Sequence, residues 1–503
     1  MRTPLTLLLM SLSIIASTWG WLGIPANFVR TPIDPNDEVQ CISYAPFRRH
    51  QTSLSPATEV SREQIAEDLA QLAKISGCIR TYATDLGLDQ IPGLAAKVGL
   101  KVIQGIFLDR NQEKNRAQIS TATRLAREYP GTVIALVVGN ETLLRKDITA
   151  SDLAATIRSV KTQVTVPVTY ADVWEFWLSN RELYDAVDFV TIHILPYWED
   201  DPVRAEFAAA HVDAIRRRVV AAFPGKEILI GEIGWPSEGR MRGSALPSRV
   251  NQARVVSEIL DLARRENFRV NLFEAYDESW KREIEGTVGG SWGLFDSVRR
   301  RLKYPAGIPI SNFPLWKLQM CSGMALATLI FGAAWLTLRR KPRDPGPVAW
   351  LAVGITATTA GILFGVAAQK LFYESYGAGG WLLWGPLLLA ATASPVIGAI
   401  ALMSGRPTPS FLELLGPEGY RTESALAIMH GLVWITTIVI GTATALGLIF
   451  DPRFIDFPFA ALTMAAVPFA AITLLNPTKK ENRPLAESIF ANVFFGSGDL
   501  RRD

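Results

Sequence analysis

Long apolar segments at the two ends of this 503-residue chain restrict its fold more than any other feature. The first covers residues 4–24, which is close to the length, about 20 residues, that a membrane-spanning helix needs. Five more follow a long polar stretch, at residues 318–338, 347–371, 380–403, 424–450 and 456–475. Buried helices of a soluble protein hardly ever supply five such segments in succession. The sequence therefore predicts an all-α, multi-span transmembrane domain of five helices at residues 316–476.

The first apolar segment has two interpretations. A secretory signal peptide would also be apolar, but this stretch is long and no clear A-x-A cleavage site follows it. We therefore interpret residues 1–25 as an N-terminal transmembrane anchor, with a signal peptide as the alternative.

Basic residues near the apolar segments indicate how the chain is oriented in the membrane. They follow the second segment, as RRKPR at 339–343, and the last segment, as Lys479, Lys480, Arg483, Arg501 and Arg502. The loops at 372–379 and 451–455 contain one basic residue, Arg453. Because basic loops stay in the cytoplasm, six spans place both termini there, including a cytoplasmic tail at 477–503. Residues 25–315 then lie on the opposite side.

Residues 38–312 alternate strand-like and helical patterns. Eight short apolar or β-rich runs lie at 41–47, 78–85, 100–109, 132–141, 166–174, 187–198, 227–235 and 270–280. Helical patterns lie between them, such as residues 61–76, where Ser61 is a suitable N-cap. Strands buried on both faces and alternating with helices are typical of a parallel sheet. Eight such units predict an α/β fold, a (β/α)8 TIM barrel.

Two glutamates fall at the ends of strands of this predicted barrel. Glu141 ends the fourth run in VVGNE, and Glu232 ends the seventh in ILIGEIGW. Polar residues at the carboxyl ends of barrel strands point into one shared pocket, where such enzymes carry out their chemistry. Paired carboxylates about 5–5.5 Å apart perform retaining glycoside hydrolysis, in which one attacks the anomeric carbon and the other protonates the leaving oxygen. We predict that Glu141 and Glu232 form such a catalytic pair.

Four stretches resemble the signature sequences of glycoside hydrolase family 17, the β-1,3-glucanase and β-1,3-glucanosyltransferase family. They are VGNE (138–141), GEIGWPS (231–237), FEAYDESWK (273–281) and WGLF (292–295). The resemblance covers roughly residues 38–305. It implies that Glu232 is the nucleophile and Glu141 the acid/base, without a cofactor or a metal. Where many members read ETGWPS, this chain has Ile233 in place of the threonine, which leaves the carboxylate unchanged.

Further residues are predicted to support the glutamates or to contact the sugar. Asn140 is expected to hydrogen-bond the sugar 2-hydroxyl, a contact that strengthens in the transition state. Tyr197 is expected to hold the nucleophile ionised by hydrogen bonding, whereas the acid needs a raised pKa. The other predicted substrate contacts are Tyr44, Asp85, Trp174, Trp235, Glu278 and Lys281. Glu278 and Lys281 match the family's Glu and Lys after strand eight, with a simple salt bridge between them as the alternative.

Two features bear on location. Cys41 and Cys78 lie near the starts of the first two strands, and a periplasmic domain would permit a disulfide between them. Adjacent parallel strands often lack the required geometry, so the pairing stays open.

The multi-span tail is similar to that of the bacterial membrane-bound branch of the family. That likeness implies a bacterial inner-membrane protein whose catalytic domain lies in the periplasm.

The predicted function is therefore the remodelling or cyclising of β-glucans by transglycosylation. Trp174, Trp177 and Trp198 would form the platform that binds the acceptor sugar. The expected partners are a β-glucan, the lipid bilayer and a membrane glucan synthase; the net charge of +3 gives no reason to expect nucleic acid. A β-1,3-glucan hydrolase is one alternative. Another is a non-enzymatic glucan-binding or export component, which would require charged pairs or a polar stripe within the spans.

Overall fold

The computed structural model describes residues 2–27, 39–48, 50–298, 300–305, 307–340, 342–405, 425–451 and 453–475. The chain divides into two compact units. One is Pro25–Asn312, and the other combines Met1–Ile24, which contains helix α1 (Arg2–Leu22), with Phe313–Asp503. The predicted tail at 477–503 and its basic residues lie outside the described residues.

The unit Pro25–Asn312 is a closed barrel of eight parallel strands arranged in sequence order, in which the last strand pairs with the first. The strands are β1 (Cys41–Ser43), β2 (Cys78–Arg80), β3 (Lys101–Ile106), β4 (Val133–Asn140), β5 (Val168–Val173), β6 (Val190–His193), β7 (Ile228–Ile233) and β8 (Arg269–Leu272). This confirms the TIM-barrel prediction. Each strand is shorter than the run that predicted it, because residues at one or both ends of the run lie outside the hydrogen-bonded ladder.

Helices cover the outside of the barrel. They are α2 (Arg62–Leu72), α3 (Ile91–Lys97), α4 (Gln112–Glu128), α5 (Ala150–Lys161), α6 (Trp174–Ser179), α7 (Ala208–Ala222), α8 (Arg249–Glu266) and α9 (Arg282–Gly289). Ser61 caps α2 as predicted, because its Oγ accepts a hydrogen bond from the backbone nitrogen of Gln64 at 3.2 Å. Apolar residues of α2, such as Ile65 and Leu69, are fully buried in the barrel core.

The first two strands are covalently linked. Cys41 and Cys78 form a disulfide, with their Cα atoms 4.4 Å apart. The register pairs Ile42 with Ile79, so the two cysteines lie side by side at the starts of β1 and β2. The pairing that the sequence left open is thus present. Because the bond closes a loop with a sequence separation of 37 residues, it stabilises the barrel by about 4 kcal/mol on chain-entropy arguments.

The ends of the barrel unit meet. Ala26 and Ile310 form an isolated antiparallel bridge, in which the nitrogen of Ala26 donates to the oxygen of Ile310 at 2.8 Å. The nitrogen of Ile310 donates back to the oxygen of Ala26 at 3.1 Å. The segments by which the chain enters and leaves this unit are therefore paired.

The second unit is helical. After α1 it contains α10 (Trp316–Arg340), α11 (Gly346–Glu374), α12 (Gly377–Ser404), α13 (Ala425–Phe450) and α14 (Phe459–Leu475). Five of its described helices are long and apolar enough to cross a membrane. The predicted span at 456–475 differs, because α14 begins only after Pro458 and has 17 residues. Its length of about 26 Å is below the roughly 30 Å of a bilayer's hydrocarbon core.

Helix α1 packs against α10 and α11 in this unit. Ile15 and Trp19 are fully buried. The hydroxyl of Ser11 donates to the backbone oxygen of Gly354 at 3.4 Å. Helices α10 and α11 approach closely at Gly323, where a Cβ would lie 1.9 Å from the oxygen of Gly361. Small residues at such contacts permit close packing of helices in a bilayer.

Candidate active site

Glu232 lies near the end of β7 and is 4% exposed. Its Oε1 accepts hydrogen bonds from Nη1 of Arg80 at 3.0 Å and from the hydroxyl of Tyr82 at 2.9 Å. Both donors come from β2 or the segment just after it. They fix the orientation of the carboxylate and place a positive charge beside it.

Glu141 directly follows β4 and has φ of 53°, a left-handed conformation that non-glycine residues seldom adopt. Its backbone nitrogen donates to the oxygen of Ala171 at 2.8 Å, which holds the turn against β5. Its Oε1 lies 2.8 Å from Nδ1 of His193, at the end of β6. The side chain is 26% exposed, so a ligand can reach the carboxylate.

The pKa of Glu141 is lowered, whereas a raised pKa was expected for the general acid. Burial raises the pKa of Glu141, but the hydrogen bond and charge of His193, with the charges of Arg145 and Arg80, bring that pKa below its usual value. A general acid at neutral pH needs a raised pKa. The sequence did not predict this difference because the contact with His193 depends on the pairing of distant strands.

We expect His193→Phe to move the alkaline limb of the pH profile of kcat/KM to higher pH. This limb reports deprotonation of the acid in the free enzyme. Removing His193 removes an interaction that lowers the pKa of Glu141, whereas burial, which raises it, remains. Initial rates across pH 4–9 (roughly) on one glucan substrate would measure the shift. A limb that stays in place or moves to lower pH would contradict the assignment of Glu141 as the group that titrates.

The two carboxylates face one another. Ligand atoms of Glu141, His193 and Glu232 all lie within 4.8 Å of one another, a group whose donor atoms resemble a metal site. The Arg80 guanidinium lies at the same place, with Nη1 3.0 Å from Oε1 of Glu232 and Nη2 3.4 Å from Nε2 of His193. Its positive charge would repel a metal ion at these distances. The arrangement therefore suits chemistry by paired carboxylates better than metal binding.

Arg80 joins the predicted residues into one network. This arginine, the last residue of β2, is 1% exposed. It donates to the backbone oxygen of Gly231 at 2.7 Å and to Oδ1 of Asn140. Asn140, which precedes Glu141 in the chain, thus shares Arg80 with Glu232, and its contact with the sugar 2-hydroxyl stays a prediction. Sequence reasoning missed Arg80 and Tyr82, although both lie in the run 78–85, which ends at the same end of the barrel.

Tyr197 was predicted to contact the nucleophile, but it does not. It is fully buried, and its hydroxyl donates to the backbone oxygen of Arg240 at 2.6 Å. The hydroxyl that reaches Glu232 belongs to Tyr82. The prediction chose a tyrosine from the wrong strand, because the sequence shows where a strand ends but not where each side chain points.

Two other predicted sugar contacts lie in the core. Trp235 has no exposed surface, and its Nε1 donates to the oxygen of Leu246 at 3.1 Å. Tyr44 is 1% exposed, and its hydroxyl donates to Oδ2 of Asp68 at 3.1 Å. A sugar therefore has no surface of Trp235 on which to stack. Asp85, by contrast, is exposed in the turn after β2.

Lys281 pairs with Glu274 and not with Glu278. Its Nζ lies 2.9 and 2.7 Å from the two carboxylate oxygens of Glu274. Glu278 accepts instead from Nε1 of Trp280 at 2.7 Å. Burial raises the pKa of Glu274 to about 7, against the opposing charge of Lys281. The alternative interpretation, a salt bridge between Lys281 and Glu278, is thus wrong, and their contact with the substrate stays a prediction. Glu274, two residues after β8, was missed.

The predicted acceptor platform is reduced to two residues. Trp177 is fully buried, and its Nε1 donates to the oxygen of Thr191 at 2.8 Å. Trp174 and Trp198 are partly exposed. The ring of Trp198 stacks on Trp292 with ring centroids 6.5 Å apart. Nε1 of Trp174 donates to Oε1 of Glu199 at 3.3 Å.

A closed (β/α)8 barrel with two facing carboxylates at the ends of β4 and β7 is the arrangement of a glycoside hydrolase. Residues 41–293, about half of the chain, match the family described as the BtgE/BtgC glycoside hydrolase domain. The chain belongs to this family, within glycoside hydrolase family 17. The family membership predicted from the four signature stretches is confirmed.

Known proteins are similar to this chain over the same half. A glucan 1,3-β-glucosidase of Candida albicans is 29% identical over 260 residues, which cover 47% of this chain and 84% of the relative. The probable family 17 glucosidase SCW4 of Saccharomyces cerevisiae is 28% identical over 267 residues, covering 52% and 66%. The crystal structure of a family 17 β-1,3-glucanosyltransferase from Rhizomucor miehei shows 24% identity and a TM-score of 0.47, and the match covers 53% of this chain and 95% of that one.

Proposed function

We propose that this protein is a membrane-anchored, retaining β-1,3-glucanosyltransferase that remodels or cyclises β-glucans in the bacterial periplasm. The observation that supports this most is the approach of Glu141 and Glu232, because one carboxylate oxygen of each lies within 4.8 Å of one of the other. Retaining enzymes hold their carboxyl groups about 5–5.5 Å apart, whereas inverting enzymes need about 6.5–9.5 Å to admit a water molecule. The named activities of the relatives support a β-1,3-glucan as the substrate.

The geometry supports a two-step reaction. Glu232 attacks the anomeric carbon and forms an ester with it, while the glycosidic bond breaks and Glu141 gives its proton to the leaving oxygen. Because Oε1 of Glu232 accepts the hydrogen bonds of Arg80 and Tyr82, we assign the attack to Oε2. In the second step Glu141 takes the proton of an incoming hydroxyl, whose oxygen displaces Glu232 from the sugar.

The nature of that hydroxyl separates a transferase from a hydrolase. Water is present at about 55 M, so a dilute sugar competes only if it is bound and oriented, where effective molarities reach about 10⁵ M or more. Trp174 and Trp198 offer partly exposed rings after β5 and β6. Aromatic rings provide large contact areas for the apolar face of a sugar. A β-1,3-glucan hydrolase remains the alternative.

We expect the full-length protein to convert β-1,3-gluco-oligosaccharides into products longer than the substrate, or into cyclic products that lack the mass of one water. Mass spectrometry of the products over a range of substrate concentrations would measure this. Trp198→Ala should shift the products several-fold toward hydrolysis, because the acceptor loses its stacking surface. Trp198→Phe, which keeps a ring, should retain most of the transfer. If only shorter sugars appear at every concentration, the enzyme is a glucanase.

Two observations support the proposed location. Disulfides such as Cys41–Cys78 persist in oxidising compartments, which include the bacterial periplasm. The packing of α1 against α10 and α11 supports a retained anchor rather than a cleaved signal peptide, because cleavage would expose the surfaces that Ile15 and Trp19 cover. A membrane glucan synthase stays a predicted partner.

We expect reporters fused after Arg340 to be cytoplasmic and those fused within 375–379 to be periplasmic. The reason is the positive charge that follows α10 and the lack of Lys and Arg in the loop after α11. Alkaline phosphatase and green fluorescent protein fusions would measure both positions. A fusion at the C-terminus would show whether the short α14 crosses the membrane as a sixth span. A cytoplasmic signal from a fusion near residue 200 would contradict the periplasmic assignment.

The export alternative is less well supported. It requires charged pairs or a polar stripe within the spans. The ion pair between Lys370 and Glu374, 3.5 Å apart, lies in the last two turns of α11. Such a position lets the pair reach the membrane interface. A protein that only binds a glucan chain for export would also not need the paired carboxylates of Glu141 and Glu232.

A further inference from the structure

Two basic segments that are distant in the sequence line one cavity of the barrel unit. The sequence reads RRH at 48–50 and RRRLK at 299–303, and no Asp or Glu occurs within 46–58 or 297–312. The cavity has a volume of about 380 Å³, and its walls include Arg48, His50, Gln51, Gln64, Ser297 and Arg300. The fold thus brings three basic side chains, Arg48, His50 and Arg300, to one cavity.

Both cavity arginines are fixed by carboxylates of α2. Nη2 of Arg300 donates to Oδ2 of Asp68 at 2.9 Å, and its guanidinium lies 3.9 Å from the ring centre of Tyr276. Nη2 of Arg48 donates to Oδ1 of Asp68 at 3.4 Å and to Glu67 at 2.7 Å. Asp68 therefore holds two guanidinium groups side by side, and together with Glu67 it balances their charge when all four side chains are ionised.

Several donors of these arginines have no hydrogen-bond partner among the residues that the structure describes. Nε of Arg48 and both Nε and Nη1 of Arg300 are buried without a hydrogen bond. Leaving a buried donor unpaired costs about 1–3 kcal/mol, and more for a charged group. These nitrogens have almost no accessible surface, so an oxyanion would supply the missing acceptors only after the guanidinium groups turn toward the cavity. Guanidinium groups bind carboxylates and phosphates through paired hydrogen bonds. The site is thus incomplete in a way that an anionic ligand would complete.

The cavity lies at the catalytic end of the barrel. Arg48 belongs to the segment after β1, and Tyr276, under Arg300, belongs to the segment after β8. Phe47 and Trp280 of the same two segments pack with ring centroids 6.2 Å apart. Carboxyl ends of barrel strands share one face, which is the face of Glu141 and Glu232. A saccharide bound there would have its substituents near the cavity.

We propose that this cavity binds a carboxylate or a phosphate ester carried by the saccharide substrate. Arg48 and Arg300 pair with the oxyanion, and the amides of Gln51 and Gln64 and the hydroxyl of Ser297 line the same walls. The proposal rests on the proposed function for the identity of the substrate as a glucan. The affinity of the cavity for an oxyanion does not depend on catalysis.

The test uses the full-length Glu232→Gln protein in nanodiscs of phosphatidylcholine, so that no probe is cleaved. Calorimetry would measure the binding of a neutral β-1,3-gluco-oligosaccharide, of the same sugar carrying one carboxymethyl or phosphate group, and of inorganic phosphate alone. We expect the acidic sugar to bind about tenfold more tightly than the neutral one. Inorganic phosphate should bind weakly and should compete with the acidic sugar.

Matched variants assign the effect to the cavity. Arg48→Gln should abolish both the preference for the acidic sugar and the binding of phosphate. Arg300→Gln should do the same, and thermal unfolding would show whether it folds, since this change also breaks the pair with Asp68. Arg301→Gln is the control, because this exposed arginine is absent from the cavity wall. It should leave both measurements unchanged.

Each other outcome overturns a defined part of the proposal. Phosphate binding that survives Arg48→Gln overturns the cavity as the site. Phosphate binding without any preference for the acidic sugar assigns the cavity to a free anion and overturns the saccharide-borne group. A response that requires anionic phosphatidylglycerol in the nanodisc assigns the arginines to the membrane surface instead. If neither sugar binds while phosphate does, the proposed glucan function fails and the oxyanion site stands.

Discussion

Glu232→Gln is expected to lower kcat for glucan cleavage by a factor on the order of 10⁴ or more, a loss typical of a residue that makes the covalent bond. The amide cannot form the ester with the anomeric carbon. It is nearly the same size as the carboxylate, so the fold and the binding of oligosaccharides should remain largely intact. Cleavage rates measured together with sugar affinity and thermal unfolding would separate these effects.

The assignment of Glu232 as the nucleophile can also be tested by a gain of activity. Azide should restore activity to Glu232→Ala and give a product of inverted configuration, because the small anion attacks from the side that the carboxylate has left. Glu227→Gln is the matched control. Glu227 lies just before β7, is exposed and pairs with Arg269 at 3.2 Å, so its loss should leave the rate unchanged. Wild-type activity in pure Glu232→Gln would remove the assignment.

Glu141→Ala is expected to lower kcat/KM on natural glucan by about 10²- to 10⁴-fold, the usual contribution of general acid catalysis. The loss should depend on the leaving group. A β-glucoside with an activated aryl leaving group needs little protonation, so its first step should be much less affected. Pre-steady-state release of the aryl group would show this as a burst, because the second step still lacks its base.

The control for Glu141 is Glu128→Ala. Glu128 ends α4 on the surface, where its pair with Arg124 at 2.7 Å contributes little to stability. An equal loss of rate on both substrates in Glu141→Ala would argue against acid catalysis and for a role in holding the sugar. Unchanged rates on natural glucan would exclude Glu141 from the reaction altogether.

The sequence was sufficient to place Glu141, Glu232 and Asn140 at the carboxyl ends of the barrel strands. Each lies at the end of an apolar run, and in a parallel barrel the carboxyl ends of all strands share one face. The barrel itself was predictable for the same reason, because runs of strand and helix alternate eight times. The ends of individual strands were overestimated, since the pattern continues into residues that leave the ladder.

Side-chain direction and burial were not predictable. Tyr82 and Tyr197 both follow strands, and only the three-dimensional structure shows that Tyr82 points to Glu232 and Tyr197 to the core. Trp235 and Trp198 illustrate the same limit, because an aromatic residue after a strand can fill the core or remain partly exposed. Arg80 and Glu274 were missed since their partners, Glu232 and Lys281, are chosen by tertiary packing.

The paired segments at Ala26 and Ile310 bear on whether the enzyme can be shed. The barrel unit continues into α1 on one side and into α10 on the other, so it is joined at both ends to helices that are long and apolar enough to cross a membrane. A single proteolytic cut in either connection leaves the unit attached through the other. Release of a soluble catalytic fragment therefore requires two separate cuts, and the hydrogen bonds between Ala26 and Ile310 would hold a singly cut connection in place.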